Sequence, residues 1–420
     1  TGCFLMQTIL AHTFTQLSSN MVQFMMMVFH LLNAIFLYMF IRNVSAIVKV
    51  PLLSEKKVAF VAALLFLLNV ITVENYTNVS MAIRMVGLLF VWVHYLLLLP
   101  LFDPNRPRNN IKSGVLVGAL ILTGFLAFSF YEIYIFFLVI DIALLLLKPT
   151  RRIMILEMMV FVVCFLLLKV LSIMNIVLFT TSSGGLRWDV LAFFKTGLFY
   201  FSTILIPNVH GKILIGSFLH FPIMIISFWG LIVLLINKKT DPPLRIAIGV
   251  LALIIVLFMG LIFHNYYAPR LLYPIAPVLV LLISLGLFAF RDRLAYSLIG
   301  LLLLANVASL LHFAYLQDRA YKCLYKLKDV VIAEYRSNTK ILVDYYPAGI
   351  RVFFPSLSVG EWERFSRAVV KTSGGDEHLM KLRVEYVKKS RVDTSGRAFD
   401  LFRDRLQHGK ETTFSIQKND

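Results

Sequence analysis

Apolar runs of membrane length recur along the first three quarters of the chain, separated by short polar breaks. Ten such runs are legible, at about 21–41, 58–73, 82–101, 114–130, 131–147, 153–179, 213–237, 246–263, 271–290 and 294–313. Runs of this kind predict membrane-spanning helices, because some 20 apolar residues at 1.5 Å each cover a hydrocarbon core. The stretch between the sixth and seventh runs differs. WDVLAFFKTGLFYF, inside 187–207, predicts a helix lying in the membrane interface with its aromatic residues at headgroup depth. The alternative is an eleventh span over 191–207, which would invert everything after it. Beyond 313 the pattern changes again, and charges of both signs become frequent. KILVDYY (340–346) predicts a buried strand, and SVGEWERFSRAVV (358–370) a helix with Ser358 as N-cap and Glu361 three residues on. GKETTFSIQKND reads as a last strand with a frayed end. The predicted architecture is an all-α polytopic bundle over 1–313 followed by a small α/β domain over 314–420.

Charge orients this architecture. The net charge of +18 raises the question of nucleic acid, but the basic residues collect in short loops between spans. Fifteen of them, among them Arg42, Lys57, Arg106, Arg152, Lys238 and Arg291, fall in one alternating set of loops. Only five (Arg84, Arg187, Lys195, Lys212 and Arg270) fall in the other. The positive-inside rule therefore places the first set in the cytoplasm and excludes a nucleic-acid reading. Residues 1–20, the 74–81 turn, the 180–212 loop, the stretch HNYYAPR (264–270) and everything after 314 are then extracytoplasmic. Composition agrees: 59% of residues are hydrophobic, 15% are charged, and mean hydropathy is +0.81. The three cysteines, Cys3, Cys164 and Cys323, form no disulfide framework and no metal-binding spacing.

Polar residues cluster at one predicted depth, the outer boundary. Glu74 ends the second run and Arg84 lies one turn inside the third. Glu132 sits where the fourth and fifth meet. His210 and Lys212 close the interfacial loop, and His264, Tyr266, Tyr267 and Arg270 stand before the ninth run. Charges are expensive in a bilayer, so those that remain have a partner or a task. Carboxylates, cations and aromatics at this depth suit a site for an anionic lipid headgroup and a polar acceptor. The bland alternative is ordinary interfacial snorkelling. Deeper in, Asp141 and Lys169 occupy neighbouring antiparallel runs, both about 15 Å below the outer boundary. They are expected to face one another as a structural ion pair; otherwise Lys169 points into a cavity and Asp141 bonds another helix.

Several stretches, taken in order, resemble the GT-C glycosyltransferases. His30, Leu31 and Asn33 in HTFTQLSSNMVQFMMMVFHLLNAIFLYMFIRNV (12–44) fit a His-Leu-x-Asn pattern of an early span. AALLFLLNVITVENYTNVS (62–80) is similar to the next span, which ends in a His-Pro-x-x-x-Glu element; Glu74 matches, and Asn69 and Val70 stand in place of His-Pro. FLAFSFYEIYIFFLVIDIALLLL (125–147) resembles a stretch of the protein O-mannosyltransferases, with Glu132 and Asp141 at recurring acids. PRLLYPIAP resembles an Arg-Tyr-Leu-x-Pro element, with Arg270 and Pro274 matching and Leu271 in place of Tyr.

The resemblance implies a polytopic enzyme that moves a sugar from a polyprenyl-phosphate carrier to an acceptor at the outer face, with inversion. In such enzymes a carboxylate in the first outer loop acts on the acceptor or holds a divalent metal. Residues 1–20 contain no Asp or Glu, so that acid is expected upstream of Thr1. Donor phosphate and sugar would fall to Arg270, His264, Tyr267, Lys212 and His210. Arginine presents a planar fork of donors to phosphate oxygens, and Pro269 and Pro274 exclude a regular α-helix around Arg270. The implied partners are membrane lipid, the lipid-linked donor, and an acceptor protein, lipid or glycan. The competing readings are a non-catalytic subunit working with other membrane subunits, and a lipid or glycan transporter; against the latter stands the lack of an internal repeat.

Overall fold

A computed structural model describes residues 19–48, 56–73, 82–102, 113–130, 190–209, 212–257 and 269–335. Shorter pieces are described at 159–160, 162–164, 166–167, 342–343 and 416–417. Nearly all of this is helix. In chain order the helices are α1 (Ser19–Val48), α2 (Lys56–Leu67), α3 (Ala82–Leu98), α4 (Ser113–Phe130), α5 (Val190–Leu205), α6 (Ser217–Ile236), α7 (Pro242–Leu257), α8 (Ala276–Phe288) and α9 (Asp292–Tyr335). Three of them hold stretches long and apolar enough to cross a membrane, Gln23–Ala46, Ser217–Ile236 and Asp292–Asp318. The chain is a membrane protein on this ground. Arg84–Leu98, Val115–Ala127, Pro242–Val256 and Leu272–Phe288 are apolar but shorter. The described helices therefore do not reach the count of ten predicted spans, and residues 131–158 lie outside the described residues.

The chain divides into two compact units, Thr1–Leu310 and Leu311–Asp420. In the first, α8 is the hub. Every residue of Ala276–Phe288 is buried, and the helix packs on α2, α6 and α7. A helix that is apolar on all sides belongs inside a bundle. Around α1 the neighbours are α2 and α3, and α3 carries α4. The outward faces are apolar too. Met21, Phe24, Met27, Leu31 and Ile35 form an exposed stripe on α1, and Phe218, Ile225, Trp229, Ile232 and Ile236 form one on α6. Their helical spacing offers lipid a continuous hydrocarbon surface, the reverse of a water-facing helix. At one end of the bundle Lys57 pairs with Asp292 at 2.8 Å and lies 5.2 Å from the Phe288 ring centre, bringing the starts of α2 and α9 together.

Two departures from the predicted pattern are informative. The run 58–73 is not one helix: α2 stops at Leu67, Asn69 is extended (φ −67°, ψ 110°), and a 3₁₀ turn follows over Val70–Thr72. Asn69 breaks the helix because its side-chain oxygen accepts the Ile71 N–H (3.0 Å), a local bond that competes with the helical ladder. At the other end, α9 continues past the predicted boundary at 313 and ends only at Tyr335. No Gly or Pro interrupts AYLQDRAYKCLYKLKDVVIAEY, so nothing in it stops the helix. The second unit also holds a two-residue antiparallel pairing, Leu342 with Gln417 and Val343 with Ile416. It joins the two segments whose sequence reads as strand.

α6 and α8 meet through small residues. Ser227 Oγ donates to Ile283 O at 3.0 Å. A Cβ on Gly230 would strike Gly286 O, and a Cβ on Gly286 would strike Ser227 O. Glycine is required at both positions because backbone lies against backbone.

Candidate functional site

A buried polar knot lies where α1, α2, α3 and the 3₁₀ segment Pro269–Ile275 converge. Its members are His30 and Asn33 on α1 and Tyr273 on the 3₁₀ segment, none more than 4% exposed. His30 and Asn33 are three residues apart, so one face of α1 presents both. His30 Nε2 lies 3.1 Å from Leu67 O, and Nδ1 lies 3.1 Å from the Tyr273 hydroxyl. A carbonyl only accepts, so Nε2 carries the ring proton. Nδ1 is then the acceptor, and the Tyr273 hydroxyl donates to it. Asn33 Nδ2 in turn donates toward Tyr273 Oη (3.2 Å), Met85 O (3.0 Å) and Phe29 O (3.0 Å). Two amide hydrogens serve three acceptors, so one of them is shared. The bonds thus run one way: Asn33 to Tyr273, Tyr273 to His30, His30 to the last carbonyl of α2. Phe66 closes the knot on its apolar side, its ring 4.9 Å from His30 and 5.7 Å from Tyr273.

Each bond answers a need of the backbone. α2 ends inside an apolar bundle, and a helix end leaves carbonyls that must find donors. His30 supplies one to Leu67. The break itself is served from α9, where Asn306 Oδ1 accepts the Val70 N–H at 3.3 Å. α5 ends in the same manner: His220 of α6 has Nε2 3.0 Å from Ile204 O, and Ser217 Oγ donates to Pro207 O at 2.6 Å. Two short helices therefore end against a histidine borne by a full-length one. After α5 the chain makes a small hairpin, with Asn208 opposite Ile213 and Val209 opposite Lys212. A third polar contact joins α3 to α4, where His94 Nδ1 lies 3.1 Å from Thr123 Oγ1 and 3.2 Å from Leu120 O.

Of the residues singled out from sequence, His30 and Asn33 are in the knot. Arg270 stands three residues before Tyr273, on the 3₁₀ segment. That segment packs against the Val70–Thr72 turn, which leads to Glu74. The Arg270 and Lys212 positions are described for backbone only, and Lys212 is in the hairpin. Arg84 is buried in the first turn of α3, beside Met85 of the knot. Glu74, Glu132, Asp141, Lys169, His210, His264 and Tyr267 lie outside the described residues, so the expected Asp141–Lys169 pair does too. Among the described residues no group of three or more His, Cys, Asp or Glu could hold a metal ion. Tyr273, Asn306 and His220 were not marked by the sequence reading. The available signal was one polar group alone in an apolar run, as in LLLLANVASLL.

Compared with protein-family models, curated proteins and solved structures, the chain matches none of them.

Proposed function

We propose that this chain is a GT-C-type glycosyltransferase that takes a sugar from a polyprenyl-phosphate carrier at the extracytoplasmic face. The reading includes a bundle of about ten spans and an outer α/β domain after it. One observation carries it. Tyr273 ties the His30–Leu31–x–Asn33 face of α1 to the PRLLYPI segment, so two stretches that resemble the family separately meet in one buried knot. The knot fixes the backbone three residues from Arg270, in a 3₁₀ rather than an α-helical segment. An arginine offers phosphate oxygens a planar fork of donors. Glu74, next along from the Val70–Thr72 turn, would face the same region, with His264, Tyr267, Lys212 and His210 around the donor.

Binding of a polyprenyl-phosphate sugar to the protein in lipid nanodiscs tests the proposal. Arg270→Ala is expected to weaken binding on the order of 10- to 100-fold, by loss of charge-assisted bonds to phosphate. Arg270→Lys should recover only part, since an ammonium lacks the fork. Unchanged affinity in a folded Arg270→Ala protein overturns the donor site.

A further inference from the structure

His220 and His30 make the same first bond and differ in the second. Each gives its Nε2 proton to the carbonyl of a helix that ends inside the bundle. Each is thereby left with Nδ1 as a lone-pair acceptor. At His30 the Tyr273 hydroxyl fills that role. At His220, which is 4% exposed, no described residue donates to Nδ1. A buried acceptor left so keeps the full desolvation penalty of its lone pair.

Beside His220 is a cavity of about 10 Å³. That is the room one water molecule needs. Its walls are apolar at Leu279, Val280 and Ile283 of α8, and polar at His220, Asn69 and Asn306. Asn306 Oδ1 already accepts one bond, from Val70 N–H, and a carbonyl oxygen has a second lone pair. The cavity is too small for an organic ligand. A single neutral imidazole is no metal site, and an acceptor lone pair repels an anion. A group with two protons to give and the size of one oxygen fits.

We propose that this cavity is a water-binding site. One internal water donates to His220 Nδ1 and to Asn306 Oδ1, and so joins α6 to α9 beside the break that follows α2. The inference is independent of the glycosyltransferase reading, because it rests on the described helices alone. It gives the two capping histidines one rule: each needs a hydroxyl donor at Nδ1, from tyrosine in one case and from water in the other.

Magic-angle-spinning NMR of the full chain in lipid bilayers, with ¹⁵N-labelled histidine, reads this directly. His220 should show an unprotonated Nδ1 correlated with water protons. His30, in the same tautomer, should show Nδ1 correlated with the Tyr273 hydroxyl and not with water. Val280→Ile adds a methylene to the cavity wall and should abolish the His220–water correlation while leaving the His30 signals in place. A His220 with no water correlation, or with its proton on Nδ1, overturns the proposal. So does a correlation that survives in Val280→Ile. The unsubstituted protein alone decides the matter if the variant does not fold.

Discussion

Where α6 crosses α8, backbone meets backbone across Ser227, Gly230 and Gly286. Where α1 meets the 269–275 segment, the gap is bridged by the side chains of His30, Asn33 and Tyr273. Lipid removes the usual hydrophobic reason for helices to associate, because a bilayer tail is as apolar as a leucine. Close packing and polar bonds remain, and this molecule uses each in a different place. The first interface joins stretches of α6 and α8 that lie beyond Pro222 and keep their own helical hydrogen bonds. The second gathers around broken chain, where carbonyls and amides have lost their helical partners. Volume governs one junction, and hydrogen-bond count governs the other.

The largest effect is expected from volume at the dry crossing. Gly286→Val places a branched side chain against Ser227 O and should destabilise by about 3 kcal/mol or more, read as unfolding in detergent. Gly118, Gly249 and Gly300 have open space around an added Cβ. Alanine there should be neutral or gain up to about 1 kcal/mol through helix propensity. If all four substitutions behave alike, the contrast between the two interfaces fails.

Next comes chemistry without volume. Tyr273→Phe keeps the ring and removes the hydroxyl that serves His30 and Asn33 together. Interhelical hydrogen bonds in membranes average well under 1 kcal/mol, and two are lost, so the expected cost is about 1–2 kcal/mol. A cost near zero in the same unfolding measurement would mean that the knot contributes shape only.

The helix break offers a finer probe. Asn306→Leu should cost about 1 kcal/mol by orphaning the Val70 N–H. Val70→Pro removes that N–H. Proline suits the first position of a turn, and Asn69 is already extended, as a residue before proline prefers. Val70→Pro should therefore be far better tolerated in the Asn306→Leu background than predicted by adding the single effects. Strict additivity in that double-mutant cycle would dissolve the link between α9 and the break. The smallest effect belongs to Ser227→Ala, about 0.5 kcal/mol, because it removes one bond and leaves the close approach intact. A loss as large as that of Gly286→Val would make the α6–α8 crossing a polar junction as well.

Periodicity made the helices legible, and the polar breaks made the loops legible. His30 and Asn33 were visible because a His and an Asn one turn apart are conspicuous inside an apolar run. Tyr273 was not, since an aromatic residue among Leu and Ile reads as core, whereas Tyr266 and Tyr267 stand beside a His in a polar break. Asn306 and His220 were equally hidden. Their tasks lie on other helices, at Val70 and Ile204, and local pattern carries no record of a partner far along the chain. The kink at Asn69 was missed for the opposite reason. Its cause is local, but the hydropathy of 58–73 is continuous across it. α9 runs on past the last predicted span because a change from apolar to charged residues marks a change of solvent, not the end of a helix.

The span between the partners of the knot also sets a schedule. Tyr273 lies 243 residues after His30. At about 5–20 residues per second, ribosomal synthesis delivers it roughly 12–50 s later. For that interval a nascent α1 sits in the bilayer with an imidazole and a carboxamide awaiting their hydroxyl. The half-made protein is thus a different client for the insertion machinery from the finished one. Its early spans need a temporary host for their polar face, and chains truncated before residue 273 should be those that membrane quality control removes fastest.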